Sequence, residues 1–108
     1  MEMLNELIDL LKNVSTELLS GKLNKFEASC GQIINISMEL FPKIIVSYSD
    51  PKMEDLREDA TYWPMQLERV INTIQGKDIF AMYDVLYCET RANLIGLKQI
   101  YMERAIEL

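Results

Sequence analysis

The residues best suited to chemistry are carboxylates, because the chain contains 17 acidic residues and no histidine. Glu54, Asp55, Glu58 and Asp59 form the densest group. On a helix, Asp55 and Glu58 share one face three residues apart, a spacing able to hold a divalent ion. The same acids also suit the first turns of a helix, where they stabilise its dipole and remain solvated.

Cys30 and Cys88 are the other reactive side chains. Nucleophilic catalysis by either one would call for an adjacent base, and histidine is absent. A two-cysteine zinc site would need carboxylates to complete it. Both cysteines therefore read as small buried hydrophobic residues held as thiols. The composition indicates no cofactor, and there is no glycine-rich phosphate loop. The Glu-x-x-His motifs of di-iron bundles are missing, as are the paired Glu-x-x-Glu and Glu-x-x-Asp motifs of all-α nucleotide pyrophosphohydrolases.

A third set, Glu89, Thr90, Arg91 and Asn93, lies inside an otherwise apolar stretch, VLYCETRANLIGL. At about 100° per residue, Ile79, Met82, Tyr83, Leu86, Leu97, Ile100 and Tyr101 fall on one helix face, with Thr90 and Asn93 at its centre and Glu89 at its edge. Buried there, the polar pair must find partners. Thr90 is expected to bond back to the Leu86 carbonyl, and Asn93 to reach Ser37, Glu89 or Gln66, giving a layer that sets helix register. A small-ligand pocket is the alternative for that layer. Arg91 is expected on the opposite side, beside a thinner apolar stripe of Cys88, Ile95, Met102 and Ile106. A helix apolar on two sides needs two coverings. The seven-residue spacing of Cys88, Ile95 and Met102 suits a helix–helix seam, so this stripe is the expected face for a second copy or another protein.

The elements that carry these residues are helical. A 108-residue chain that is 49% hydrophobic, with only 4 Gly and 3 Pro, fits a single all-α domain over residues 1–108. Leu4, Leu7, Ile8, Leu11, Val14 and Leu18 define helix 1, over about residues 2–19, which Gly21 ends in a left-handed conformation. Asn24 with Glu27 resembles a capping box. Phe26, Cys30, Ile33, Ser37, Leu40, Phe41, Ile44 and Tyr48 then continue one face of helix 2, over about residues 24–47. Pro42 predicts a kink or a break.

Asp50 and Pro51 suit the cap and first position of helix 3, whose core face is Met53, Leu56, Ala60, Trp63, Leu67, Val70, Ile71 and Ile74. Pro64 predicts that this helix is bent or in two pieces. Gly76 ends it, Asp78 caps helix 4, and helix 4 runs over about residues 78–106. Two similar αα-hairpins and short connections predict an up-down four-helix bundle.

Gly76, Lys77, Asp78, Ile79, Asp84, Leu86 and Glu89, written G-K-D-I-x-x-x-x-D-x-L-x-x-E, resemble the last hairpin of a family of small bacterial all-α proteins of unknown function. That resemblance covers about a quarter of the chain. It implies a helical fold and a bacterial origin, and it assigns no functional residue. In size and helix content the chain is also similar to flagellar export chaperones and other secretion adaptors.

The formal net charge of −6 is spread evenly along the chain, without a basic tail or stripe. Nucleic acid and anionic membrane are therefore not expected partners. No run of 18 uncharged apolar residues occurs, and the acidic start differs from a signal peptide, which together suggest a cytoplasmic protein. The expected function is a non-catalytic helical module that binds another protein or itself as a homodimer, using helix 4 and methionine-rich surface. The alternative is a ligand-binding, metal-binding or hydrolytic protein built on the acids of helix 3.

Overall fold

A computed structural model describes residues 1–21 and 26–108. The elements are α1 (Glu2–Ser20), α2 (Phe26–Ser47), a 3-10 helix (Pro51–Thr61), α3 (Tyr62–Gly76), α4 (Ile79–Met82), a π-helix (Tyr83–Arg91) and α5 (Ala92–Glu103). The last three run on without interruption as one C-terminal helix, residues 79–103. The fold is therefore an all-α arrangement of four helices, with no strand among the described residues. α1 packs on α2 and on the C-terminal helix, and α3 packs on those same two elements. No described helix is long and apolar enough to cross a membrane.

The helix ends follow local chemistry. Gly21 takes the left-handed conformation (φ 71°) that closes α1. Asn24, the expected cap of α2, lies outside the described residues. Asp50 caps the 3-10 helix by accepting from Lys52 N at 2.9 Å, with Pro51 at its first position. Asp78 accepts from the amides of Phe80 and Ala81. At the α3 end the roles differ from expectation. Gly76 is still helical, and Lys77 takes the left-handed turn (φ 56°), because Asp78 must already be extended to act as a cap one residue later.

The two prolines act differently. α2 continues through Pro42, so the chain is not broken there. Pro42 and Met38, whose carbonyl it cannot bond, are both exposed, and water can take the free acceptor. Helix 3 is in two pieces, one of the outcomes expected at Pro64. The 3-10 stretch gives way to α-helix at Tyr62, two residues before Pro64, which therefore sits in the first turn of α3.

The core joins Leu4, Leu7, Leu11 and Val14 of α1, Ile33, Leu40, Phe41 and Ile44 of α2, Trp63 and Val70 of α3, and Met82, Leu86, Leu94, Leu97 and Tyr101 of the C-terminal helix. The faces read from α1 and α2 are the ones buried. On the C-terminal helix the face changes. Val85 and Leu94 are buried although α-helical spacing did not place them inward, while Ile79 is exposed. The π-helix, with its i→i+5 bonding, carries more residues per turn than an α-helix, so spacing counted in α-turns drifts across residues 83–91.

Candidate functional site

The polar residues of the π-helix meet α3 in a chain of hydrogen bonds. Gln66, fully buried, donates from Nε2 to Thr90 Oγ1 at 2.6 Å and to Glu89 Oε2 at 3.2 Å. Its carbonyl accepts from the Tyr62 hydroxyl. Asn93 Nδ2 in turn donates to Tyr62 Oη at 2.6 Å. Thr90 passes its own proton to the Val85 carbonyl at 2.6 Å. Every donor in the series thus has an acceptor, from Asn93 through Tyr62 and Gln66 to Thr90 and the backbone.

Glu89 closes the layer on its outer side. Arg69 grips both carboxylate oxygens, Nε to Oε2 at 2.8 Å and Nη2 to Oε1 at 3.0 Å. These bonds hold the Glu89 carboxyl below the usual carboxylate range against the opposing effect of burial. Burial pushes the Tyr62 hydroxyl up, and the negative charge of Glu89 adds to that. A carboxylate that is ionised and bound on both oxygens is poorly suited to take a proton from a substrate. The arrangement serves as a latch between α3 and the C-terminal helix.

Of the expected buried layer of Glu89, Thr90 and Asn93, only Thr90 is buried; Glu89 and Asn93 are half-buried at its rim, and two of the expected partners are changed. Thr90 bonds to Val85, five residues back, and not to Leu86, because π-helical winding brings the i−5 carbonyl beneath its hydroxyl. Asn93 is only half-buried and finds Tyr62; Ser37 is buried in α2 with its hydroxyl unbonded. Sequence reasoning missed Tyr62 and Arg69. The available signal was the spacing of Tyr62, Gln66 and Arg69, which at i, i+4 and i+7 makes one polar stripe along α3.

The second stripe divides. Ile95 and Met102 are 40% and 67% exposed on α5, and Cys88 is also exposed. Cys88 belongs to the π-helix, so its seven-residue spacing from Ile95 does not continue a single α-helical seam. Ile106 is not on this face but in the core, at 5% exposure. Ala105 turns left-handed (φ 53°), and Ile106 N bonds back to the Tyr101 carbonyl at 2.9 Å while Ala105 N reaches Met102 O at 3.4 Å. This is a Schellman motif, which folds the residue after the turn onto the last helical turn. Arg91 also departs from expectation. It is half-buried, donates to the Ile8 carbonyl of α1 at 3.2 Å, and lies over the Tyr87 ring.

The acids of the 3-10 helix do not converge. Arg104 binds both oxygens of Asp55, at 2.6 and 3.0 Å, and clamps the C-terminal turn to this segment. Among the described residues no group of three or more His, Cys, Asp or Glu is placed to hold a metal ion. Cys30 is buried, as expected. Burial, with the charges of Glu17 and Glu27 adding, pushes its thiol up to about 11, which keeps it protonated and unreactive at neutral pH. Cys88, expected to be buried like Cys30, is instead exposed, because the outer side of the π-helix faces solvent.

Beside the polar layer is an open cleft of about 370 Å³ between the 3-10 helix, α3 and α5, lined by Tyr48, Asp59, Tyr62, Trp63, Asn93 and Ile100 among others. Trp63 Nε1 donates to Tyr48 Oη at 2.9 Å, and the Tyr62 and Trp63 rings stand nearly perpendicular, 5.6 Å apart. Comparison of the chain with protein-family models, with curated proteins and with solved structures finds no match.

Proposed function

We propose that the protein is a non-catalytic helical interaction module that pairs with a second copy of itself through the outer face of α5. The observation that carries this reading is the exposure of Ile95 and Met102, two large apolar side chains two turns apart on one α-helix. Lys98, Gln99 and Glu103 surround them. A chain of net charge −6 repels its own copies over most of its surface. This face carries one base and one acid around an apolar centre, so two copies can meet there without net repulsion. Of the other methionines, Met38 on α2 and Met65 on α3 are also exposed.

Sedimentation equilibrium tests the reading. The wild type is expected to reach dimer mass at high micromolar concentration, and the double variant Ile95→Lys, Met102→Glu to remain a monomer with unchanged helical circular dichroism. A wild type that stays monomeric throughout, or a double variant that dimerises equally, overturns it.

A further inference from the structure

We propose that the cleft between the 3-10 helix, α3 and α5 binds a small organic cation of the alkylammonium type. Three aromatic rings, Tyr48, Tyr62 and Trp63, line one cleft with a carboxylate, Asp59. Alkylammonium groups are held by aromatic faces through the ring quadrupole, within about 6 Å of the centroid, and by a nearby negative charge. Trp63 packs edge to face with both Tyr62 and Phe41 at 5.6 Å, so the aromatic surface open to a ligand is that of Tyr62. Tyr62 is 38% exposed and accessible to a ligand, whereas Trp63 and Tyr48 form a nearly buried floor.

The charge at this site is available. Asp55 is bound by Arg104 and Glu89 by Arg69, but among the described residues Asp59 forms no ion pair. Arg57, the nearest base in sequence, turns to the backbone carbonyls of Tyr48 and Asp50. Asn93 spends one amide N–H on Tyr62, and among the described residues its carbonyl oxygen has no hydrogen-bond partner, leaving a further acceptor at the cleft. The polar latch thus ends at a recess whose spare charge is that of Asp59 and whose accessible aromatic ring is Tyr62, over a floor of Trp63 and Tyr48. Gly96 also lines it, and a β-carbon built there meets no atom within 4 Å, so this helix position opens on free space.

Trp63 is the single tryptophan of the chain, so its fluorescence reports on the cleft. Choline chloride is the probe, compared with the neutral isostere that has carbon in place of the quaternary nitrogen. A saturable fluorescence change with choline, at least about fivefold tighter than with the isostere, is expected. Asp59→Asn, an exposed position, should weaken choline binding about two- to fivefold without altering the melting temperature. Tyr62→Leu should weaken it by a similar factor, and Tyr62→Phe, which keeps the ring, should restore it. Gly96→Leu should block binding by filling the recess while the helix stays folded.

Absence of a saturable change, equal binding of the neutral isostere, or undiminished binding by Gly96→Leu overturns the proposal. The Ile95→Lys, Met102→Glu variant lies outside the cleft lining and should bind choline as the wild type does. Pairing of copies and cation binding are therefore distinguishable in success and in failure.

Discussion

Gln66 Nε2 and Thr90 Oγ1 meet at 2.6 Å in the interior, joining α3 to the π-helix through two side chains that water does not reach. Each is satisfied largely by the other's network, and neither has a solvent alternative. An unpaired buried polar group costs about 1 to 3 kcal/mol. Thr90→Val should destabilise the protein by about that amount in urea unfolding. Gln66→Met combined with Thr90→Val should cost less than the sum of the two single changes, because the second substitution removes the group that the first left unpaired. Strict additivity would mean that the two residues do not act as a unit.

The pH dependence has one limb for each shifted group. Glu89 has a lowered pKa in the folded state, so its contribution is fully present above the ordinary glutamate value of 4.5 and is lost as pH falls through the folded value. The pair is partly exposed, which limits the effect to about 1 kcal/mol or less. Glu89→Gln should reduce the acid slope of the unfolding free energy below pH 4.5 without abolishing it, because Arg104 also holds the Asp55 carboxyl below the usual carboxylate range.

Tyr101 behaves in the opposite sense. Burial pushes its hydroxyl from 10.0 up to about 12. Ser47 gives its single proton to the Ile44 carbonyl, so the Tyr101 hydroxyl donates to Ser47 Oγ, at 2.6 Å. Burial favours the neutral form and outweighs the opposing effect of the Ser47 bond. The contribution of Tyr101 is complete below pH 10.0 and is lost as pH rises towards about 12, by an amount on the order of 2 kcal/mol. Cys30, raised from 9.0 to about 11, begins to lose its contribution one unit lower, so Tyr101→Phe should remove only the part of the alkaline loss that develops above pH 10.0 in denaturant titrations, and an unchanged slope there would assign it to other groups.

Two left-handed positions are held by residues with a β-carbon, Lys77 (φ 56°) and Ala105 (φ 53°). The left-handed conformation costs an L-residue about 1 to 2 kcal/mol, partly offset on changing to glycine by the greater entropy of the unfolded chain. Lys77→Gly and Ala105→Gly should each raise stability by about 0.5 to 1 kcal/mol, seen as a higher melting temperature. Ala105→Val, β-branched, should have the opposite sign and loosen Ile106 from the core.

The sequence by itself determined the helical class, the buried faces of α1 and α2, and the ends set by Gly21, Asp50 and Asp78. Each of these depends on a local rule: apolar spacing near 3.6 residues, a small side chain accepting from the amides of a first turn, or a glycine free to turn left-handed. It also pointed to Glu89, Thr90 and Asn93 as polar residues in need of partners, although only Thr90 is buried.

Tertiary structure decided which groups those residues meet. The π-helix shifts the phase between residues 83 and 91, so the wheel that placed Leu86 correctly lost Val85 and Leu94 and sent Arg91 to the wrong side. Ile106 reached the core because the chain turned at Ala105, a residue with no local signal for the left-handed region. The aromatic cleft joins Tyr48 and Asp59 to Asn93 and Ile100, residues far apart in sequence. No periodicity within one helix encodes that meeting, because it arises only where three elements pack.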